Sequence, residues 1–169
     1  MKRIALIGPE SSGKTTLARQ LAEHFQAPFI PEYARGFVEK LDRHYTPDDI
    51  LYCAQQQLLS EEEAARSHSQ YLFTDTEFIL AKVWSLDVFH FCPPWILEKA
   101  ESHRYDLFLL TAPDLPFDPD PVRENPHRRE EFFDIYRKEL AHYGYPFVIV
   151  SGLGRKRLRA AVKAVHGLT

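Results

Sequence analysis

Cysteine is almost missing from this chain of 169 residues. Only Cys53 and Cys92 occur, far apart and in no CxxC or Cys/His grouping. That excludes a disulfide framework and a zinc-finger type of structural metal site, and it suits a reducing, cytoplasmic compartment. Long hydrophobic runs are missing too, and nothing approaches the ~20 residues that a membrane helix needs. Near the N-terminus, Lys2 and Arg3 precede Ile4-Ala5-Leu6-Ile7, but that run stops at Gly8-Pro9-Glu10, short of a signal-peptide core. Excess positive charge is absent as well: 21 basic against 24 acidic residues leave a net charge of −3. This argues against broad binding to nucleic acid or to an anionic membrane. What remains is 44% hydrophobic and 27% charged residues, enough to bury one core, so a single domain spanning 1–169 is expected.

Short apolar runs alternate with longer amphipathic ones. Ile4–Ile7, Pro28–Ile30, Tyr71–Thr74, Asp106–Thr111 and Phe147–Val150 read as five strands buried on both faces. Leu17, Leu21 and Phe25 recur at helical spacing after the first. Thr46-Pro47-Asp48-Asp49 signals a helix start, with an N-cap hydroxyl, proline at the first helical position and a carboxylate three residues on. That helix is expected to run to about Ser67, with Ser60-Glu61-Glu62-Glu63 on its solvated face. Further helices are expected over 128–143 and along the stripe of Leu158, Ala161, Val162 and Val165. Strands alternating with helices predict an α/β fold, a five-stranded parallel sheet with helices on both faces. The segment from Pro113 to Pro126, five prolines among fourteen residues, is too long for a simple connection and is expected to form a lid loop over about 113–129.

The most informative stretch is Gly8-Pro9-Glu10-Ser11-Ser12-Gly13-Lys14-Thr15, a complete G-x-x-x-x-G-K-[ST] between an apolar run and an amphipathic one. Glycines at both ends let successive main-chain N–H groups turn toward a phosphate. The following helix adds its positive end. Lys14 is expected to reach the terminal phosphates and Thr15 to hold Mg²⁺. Gly8, Glu10, Ser11, Ser12, Gly13, Lys14, Thr15 and Thr16 are therefore assigned to ATP.

No Asn-Lys-x-Asp follows the later strands, which disfavours a GTPase; Ala112-Pro113-Asp114 stands there instead. The size suits a small-molecule kinase. Asp75, ending the third strand, is placed to hold Mg²⁺. Glu32, following the second, is placed to orient an acceptor hydroxyl and take its proton. Which of the two is the base stays open. Arg123 and Arg128, with Arg129 a lesser candidate, are expected to bring positive charge over the transferring phosphate from the lid.

These residues resemble a known family. The phosphate loop, Pro31-Glu32-Tyr33-Ala34-Arg35, Ala54-Gln55-Gln56-Gln57 and Thr74-Asp75-Thr76-Glu77-Phe78 together are similar to the ribosylnicotinamide kinase domain of the NadR proteins. The resemblance spans nearly the whole chain and is weakest from Trp84 to Arg104. It implies an adenylate-kinase-like fold with strand order 2-3-1-4-5, MgATP as donor, and transfer to the 5′-hydroxyl of nicotinamide riboside. NadR proteins also carry an adenylyltransferase domain. No His-x-x-His or His-x-Gly-His element precedes the phosphate loop here, so that second activity and repression are not expected.

For the acceptor, Tyr33 and Trp84 are the candidate aromatic faces for a cationic ring, with Phe78 within reach and Trp95 assigned to packing. Gln56 is the candidate for a carboxamide, and Arg35 or Glu77 for ribose hydroxyls. The adenine is expected against Gly152, in Ser151-Gly152-Leu153-Gly154, and Arg155-Lys156-Arg157 is read as a solvated face. The alternatives are a kinase for another nucleoside or for a vitamin such as thiamine, and a regulatory ATPase with no small-molecule acceptor.

Overall fold

Ile4, Ala5, Leu6 and Ile7 have no solvent exposure at all, and that fixes the architecture around them. A strand buried on both faces needs a covering layer on each side and a partner along each edge. The computed structural model, in which residues 1–120 and 125–168 are described, supplies both. Strand β1 (Lys2–Ile7) pairs in parallel with β3 (Tyr71–Asp75) on one edge and β4 (Leu107–Thr111) on the other. Outside these lie β2 (Phe29–Ile30) and β5 (Phe147–Val150), so the five-stranded order is β2-β3-β1-β4-β5, as the resemblance implied.

Side chains alternate across β1. Ile4 and Leu6 face a core completed by Leu17 and Leu21 of helix α1 (Lys14–Phe25) and by Ala161 and Val165 of the last helix, α7 (Gly154–His166). Ala5 and Ile7 face the opposite core. That core is built on α3 (Pro47–Ala64), α4 (Phe78–Phe89), α5 (Pro94–Ser102) and α6 (Arg129–His142), through Ile50, Ile79, Ile96 and Leu140. A further short helix, α2 (Tyr33–Val38), follows β2 and was not legible in the pattern.

Helix α3 begins as expected. Thr46 Oγ1 accepts from the Asp49 N–H, and the Asp49 carboxylate accepts from the Thr46 N–H, closing a reciprocal cap. Two expectations fail. Strand β5 is half exposed, with Val148 and Ile149, on opposite faces, both open to solvent, because it is the edge strand. Glu61 is fully buried instead of solvated. It accepts from Tyr105 Oη at 2.8 Å and Thr74 Oγ1 at 3.2 Å, with His103 Nε2 3.3 Å away, a polar pocket that offsets its desolvation. Cys53 and Cys92 are buried, free thiols. Among the described residues no helix is long and apolar enough to cross a membrane.

Candidate active site

The phosphate loop turns between β1 and α1 because two positions there exclude side chains. A Cβ on Gly8 would lie 2.2 Å from Thr111 Oγ1, and one on Gly13, at φ +79°, 2.7 Å from Leu115 Cδ1. The Ser12 hydroxyl, fully buried, bonds Thr111 Oγ1 at 2.6 Å and Pro9 O at 2.7 Å, so the C-terminal end of β4 braces the loop from below. Lys14 Nζ donates to Gly8 O at 2.8 Å and Pro9 O at 2.9 Å, curling the ammonium over the loop's own carbonyls. Thr15 Oγ1 donates to Asp75 Oδ2 at 2.5 Å.

Residues 9–16 of the loop line one wall of an open cleft, and Glu32, Arg35, Trp84 and Asp87 line the other. Asp75 lies behind Thr15 of the first wall, with no solvent exposure, and its Oδ1 has no hydrogen-bond partner. Burial raises the Asp75 carboxyl, opposed by the Lys14 ammonium and the Thr15 hydroxyl. Burial first, and the Asp75 charge second, push the Glu32 carboxyl up to about 7; Lys14 and Arg35 pull the other way. Glu32 thus faces the phosphate cradle across the cleft, within reach of the buried Asp75 charge, and its carboxyl is poised to exchange a proton near neutrality.

Trp84 borders the cleft, its Nε1–H donating to Tyr45 Oη at 3.0 Å. A smaller, mostly apolar recess opens beside it, walled by Glu32, Cys53, Gln57, Glu77 and Phe78. Arg35 is paired with Asp120 and, at 3.4 Å, with Glu39.

Several expected residues lie elsewhere. Tyr33 is not on the cleft wall; its ring packs against Phe37 and Tyr52 on the outer side of α2. Gln56 lines neither cleft nor recess, and its neighbour Gln57 points inward instead. Gln57 accepts from the Tyr33 N–H at 3.0 Å and donates to Thr74 Oγ1 at 3.1 Å and Asp75 O at 3.3 Å. Glu77 serves as the α4 N-cap, accepting from the Ile79 and Leu80 N–H groups at 2.6 and 3.0 Å. Burial nevertheless pushes its carboxyl up to about 8. Gly152 is away from the cleft wall, its N–H donating to Asp114 Oδ2 at 2.6 Å.

Arg157 is no solvated cation. It is 5% exposed and donates to Ser12 O, Ala112 O, Gly152 O and the Asp114 carboxylate, bracing the phosphate loop from beneath. Spacing alone could not separate it from the exposed Arg155 and Lys156, because only the fold brings those carbonyls to it.

The described parts of the proline-rich segment, on either side of residues 121–124, touch the phosphate loop. Ser11 Oγ bonds Asp118, Glu10 accepts from the Asn125 N–H at 3.1 Å, and Arg129 donates to Ser11 O and Leu115 O. Arg123 lies outside the described residues. Arg128 is held in a two-carboxylate clamp, by Asp87 at 2.7 Å and Glu131 at 2.8 Å, with its guanidinium 4.6 Å over the Phe132 ring.

Among the described residues no group of three or more His, Cys, Asp or Glu side chains is arranged to hold a metal. The acceptors at hand suit a cation shared with phosphates: the unsatisfied Asp75 Oδ1 and the Thr15 hydroxyl.

Comparison with known proteins agrees with this geometry. The trifunctional NAD biosynthesis/regulator protein NadR of Escherichia coli (strain K12) is 26% identical over 163 residues, covering 89% of this chain and 38% of that protein. NadR of Salmonella typhimurium is 26% identical over 134 residues, covering 73% of this chain and 31% of its own length. The chain therefore spans less than two-fifths of these relatives. A crystal structure of NadR protein in complex with NR superposes with a TM-score of 0.80 at 29% identity, covering 99% of this chain and 51% of that one. Deoxyadenosine kinase from M. mycoides, with a TM-score of 0.61 and 11% identity, covering 98% of this chain and 99% of that one, shares the fold. The model of the AAA_28 family, described as an AAA domain, matches residues 3–157, and with its phosphate loop complete between β1 and α1 this chain belongs to that family.

Proposed function

We propose that this chain is an ATP-dependent kinase that phosphorylates the 5′-hydroxyl of nicotinamide riboside to give nicotinamide mononucleotide. One observation carries the reading: Glu32 shares a cleft with the phosphate loop, within reach of the Asp75 charge. A switch ATPase has no need of a carboxyl aimed at an acceptor space. The match to a NadR protein crystallised with NR, over nearly the whole chain, supports this acceptor, as does a second NadR structure with NAD and AMP-PNP at a TM-score of 0.75.

In this reading the loop's N–H groups and Lys14 hold the donor phosphates, Lys14 exchanging its loop carbonyls for phosphate oxygens. Thr15 and Asp75 would hold Mg²⁺, which when bound draws charge from the phosphate oxygens. Glu32 accepts the proton of the acceptor hydroxyl as that oxygen bonds to the γ-phosphorus and the bond to ADP breaks. A carboxyl near 7 is suited to that transfer at neutral pH. Trp84 offers an aromatic face to the cationic pyridinium, and Arg35 lies within the same wall for ribose hydroxyls. The cleft and the recess between them make room for the acceptor.

Incubation with MgATP and a panel of nucleosides and vitamins, read by mass, tests the proposal. A phosphorylated nicotinamide riboside is expected. ATP hydrolysis with every acceptor unchanged refutes it.

A further inference from the structure

We infer that Gln57 is a positioning residue that holds Glu32 at the reaction centre, an inference that rests on Glu32 acting as the base. Strand β2 contributes only two pairs to the sheet, Phe29 with Phe73 and Ile30 with Thr74. The ladder therefore ends two residues before Glu32. Helix α2, which Glu32 opens, has six residues and no buried side chain, and Glu32 makes no side-chain cap of its own. Ring contacts of Tyr33 and Phe37 with Tyr52 hold the outer side of α2 against α3. They leave the N-terminal peptide, the one carrying Glu32, to be fixed relative to Asp75. The negative charge of Asp75 works against that placement.

Gln57 spans this gap. It is 5% exposed, on α3, and its carboxamide touches both carboxylate-bearing elements. Its Oε1 accepts from the Tyr33 N–H, one residue past Glu32, while its Nε2 donates to Asp75 O and Thr74 Oγ1. One end must accept and the other donate, which an amide does and neither a carboxylate nor an alkyl chain does. Thr74 Oγ1 in turn donates to the buried Glu61, itself fixed by Tyr105 Oη, so the tether is anchored behind β3. A displacement of about 1 Å at a catalytic group can cost two orders of magnitude in rate, which is the scale on which such a tether acts.

The test is a double-mutant cycle of Gln57→Met with Glu32→Gln, read by kcat and by the KM for ATP, alongside hydrogen exchange at the Tyr33 amide. Gln57→Met is expected to lower kcat about 10- to 100-fold with the KM for ATP within about twofold. It should cost little more in the Glu32→Gln background, and Tyr33 should lose its protection. If Gln57→Met does not fold, Gln57→Asn, which keeps an uncharged amide in the site but is one methylene too short to span it, carries the same cycle with the same expected signs. Unchanged exchange at Tyr33 overturns the tether, and equal losses in both backgrounds overturn its action through Glu32. Parental turnover in Glu32→Gln alone overturns the base assignment, and the exchange result then still decides the tether.

Discussion

Replacing Glu32 by glutamine should make the protein more stable as it loses turnover, and the gain should depend on pH in one direction only. Burial and the Asp75 charge raise the Glu32 carboxyl from 4.5 to about 7. Between those values the folded protein holds a proton that the unfolded chain releases. The stability linked to Glu32 is thus fully present below about pH 4.5 and is lost as pH rises through about 7. A shift of that size corresponds to at most about 3 kcal/mol once the residue is ionised, a large share of the 5–15 kcal/mol typical of a domain. Glutamine copies the shape of the protonated acid but cannot ionise. Urea unfolding of parent and Glu32→Gln, from about pH 4 to about pH 8, should show the two nearly level at the acid end, with the variant about 3 kcal/mol ahead at the alkaline end. Titrations that are not coupled to Glu32 are shared by both proteins and cancel in the difference. A gap independent of pH, or one favouring the parent at high pH, would mean that Glu32 is not held in a desolvated, like-charged setting, and its fitness as a base near neutrality would go with it.

Lys14→Ala should weaken ATP binding in calorimetry and lower kcat by at least about 100-fold, because it removes the cation that the loop itself supplies; parental affinity and rate would contradict the phosphate-loop assignment. Asp75→Asn should lower turnover steeply and raise the Mg²⁺ concentration needed for half-maximal activity, whereas an unchanged Mg²⁺ requirement removes Asp75 from the metal. Gly8→Ala drives a methyl to 2.2 Å from Thr111 Oγ1 and should abolish ATP binding, while Gly36→Ala, with nothing within 4 Å and inside α2, should raise stability by about 0.5–1 kcal/mol. Thr46→Ala opens the α3 cap and should cost about 1 kcal/mol in denaturant unfolding with kcat unchanged.

The features legible in the sequence are those whose chemistry is local. The phosphate loop needs its glycines, lysine and threonine at set spacings, so the string of residues from Gly8 to Thr15 declares the site on its own. The α3 start is written in Thr46-Pro47-Asp48-Asp49, because a cap is closed by neighbours three residues apart. Five apolar runs separated by amphipathic stretches imply a parallel sheet for the same kind of reason. Glu32 and Asp75 could be proposed because each follows an apolar run at the carboxyl end of a strand, where ligands of open α/β sheets gather.

Tertiary structure decided whatever depends on which way a side chain turns and what meets it there. Gln55, Gln56 and Gln57 are the same residue three times over. A helix rotates about 100° per residue, so only packing against β3 selects Gln57 to face inward. Glu61 stands in a run of acids that looks solvated, yet Tyr105, far along the chain, reaches it with a hydroxyl. Arg157 stands in a basic run, yet the ends of β4 and β5 turn their carbonyls toward it. Short-range pattern sets strands, helices and turns because their bonds close within a few residues. The partners of a buried charge come from distant parts of the chain, and they exist for it only once the sheet has formed.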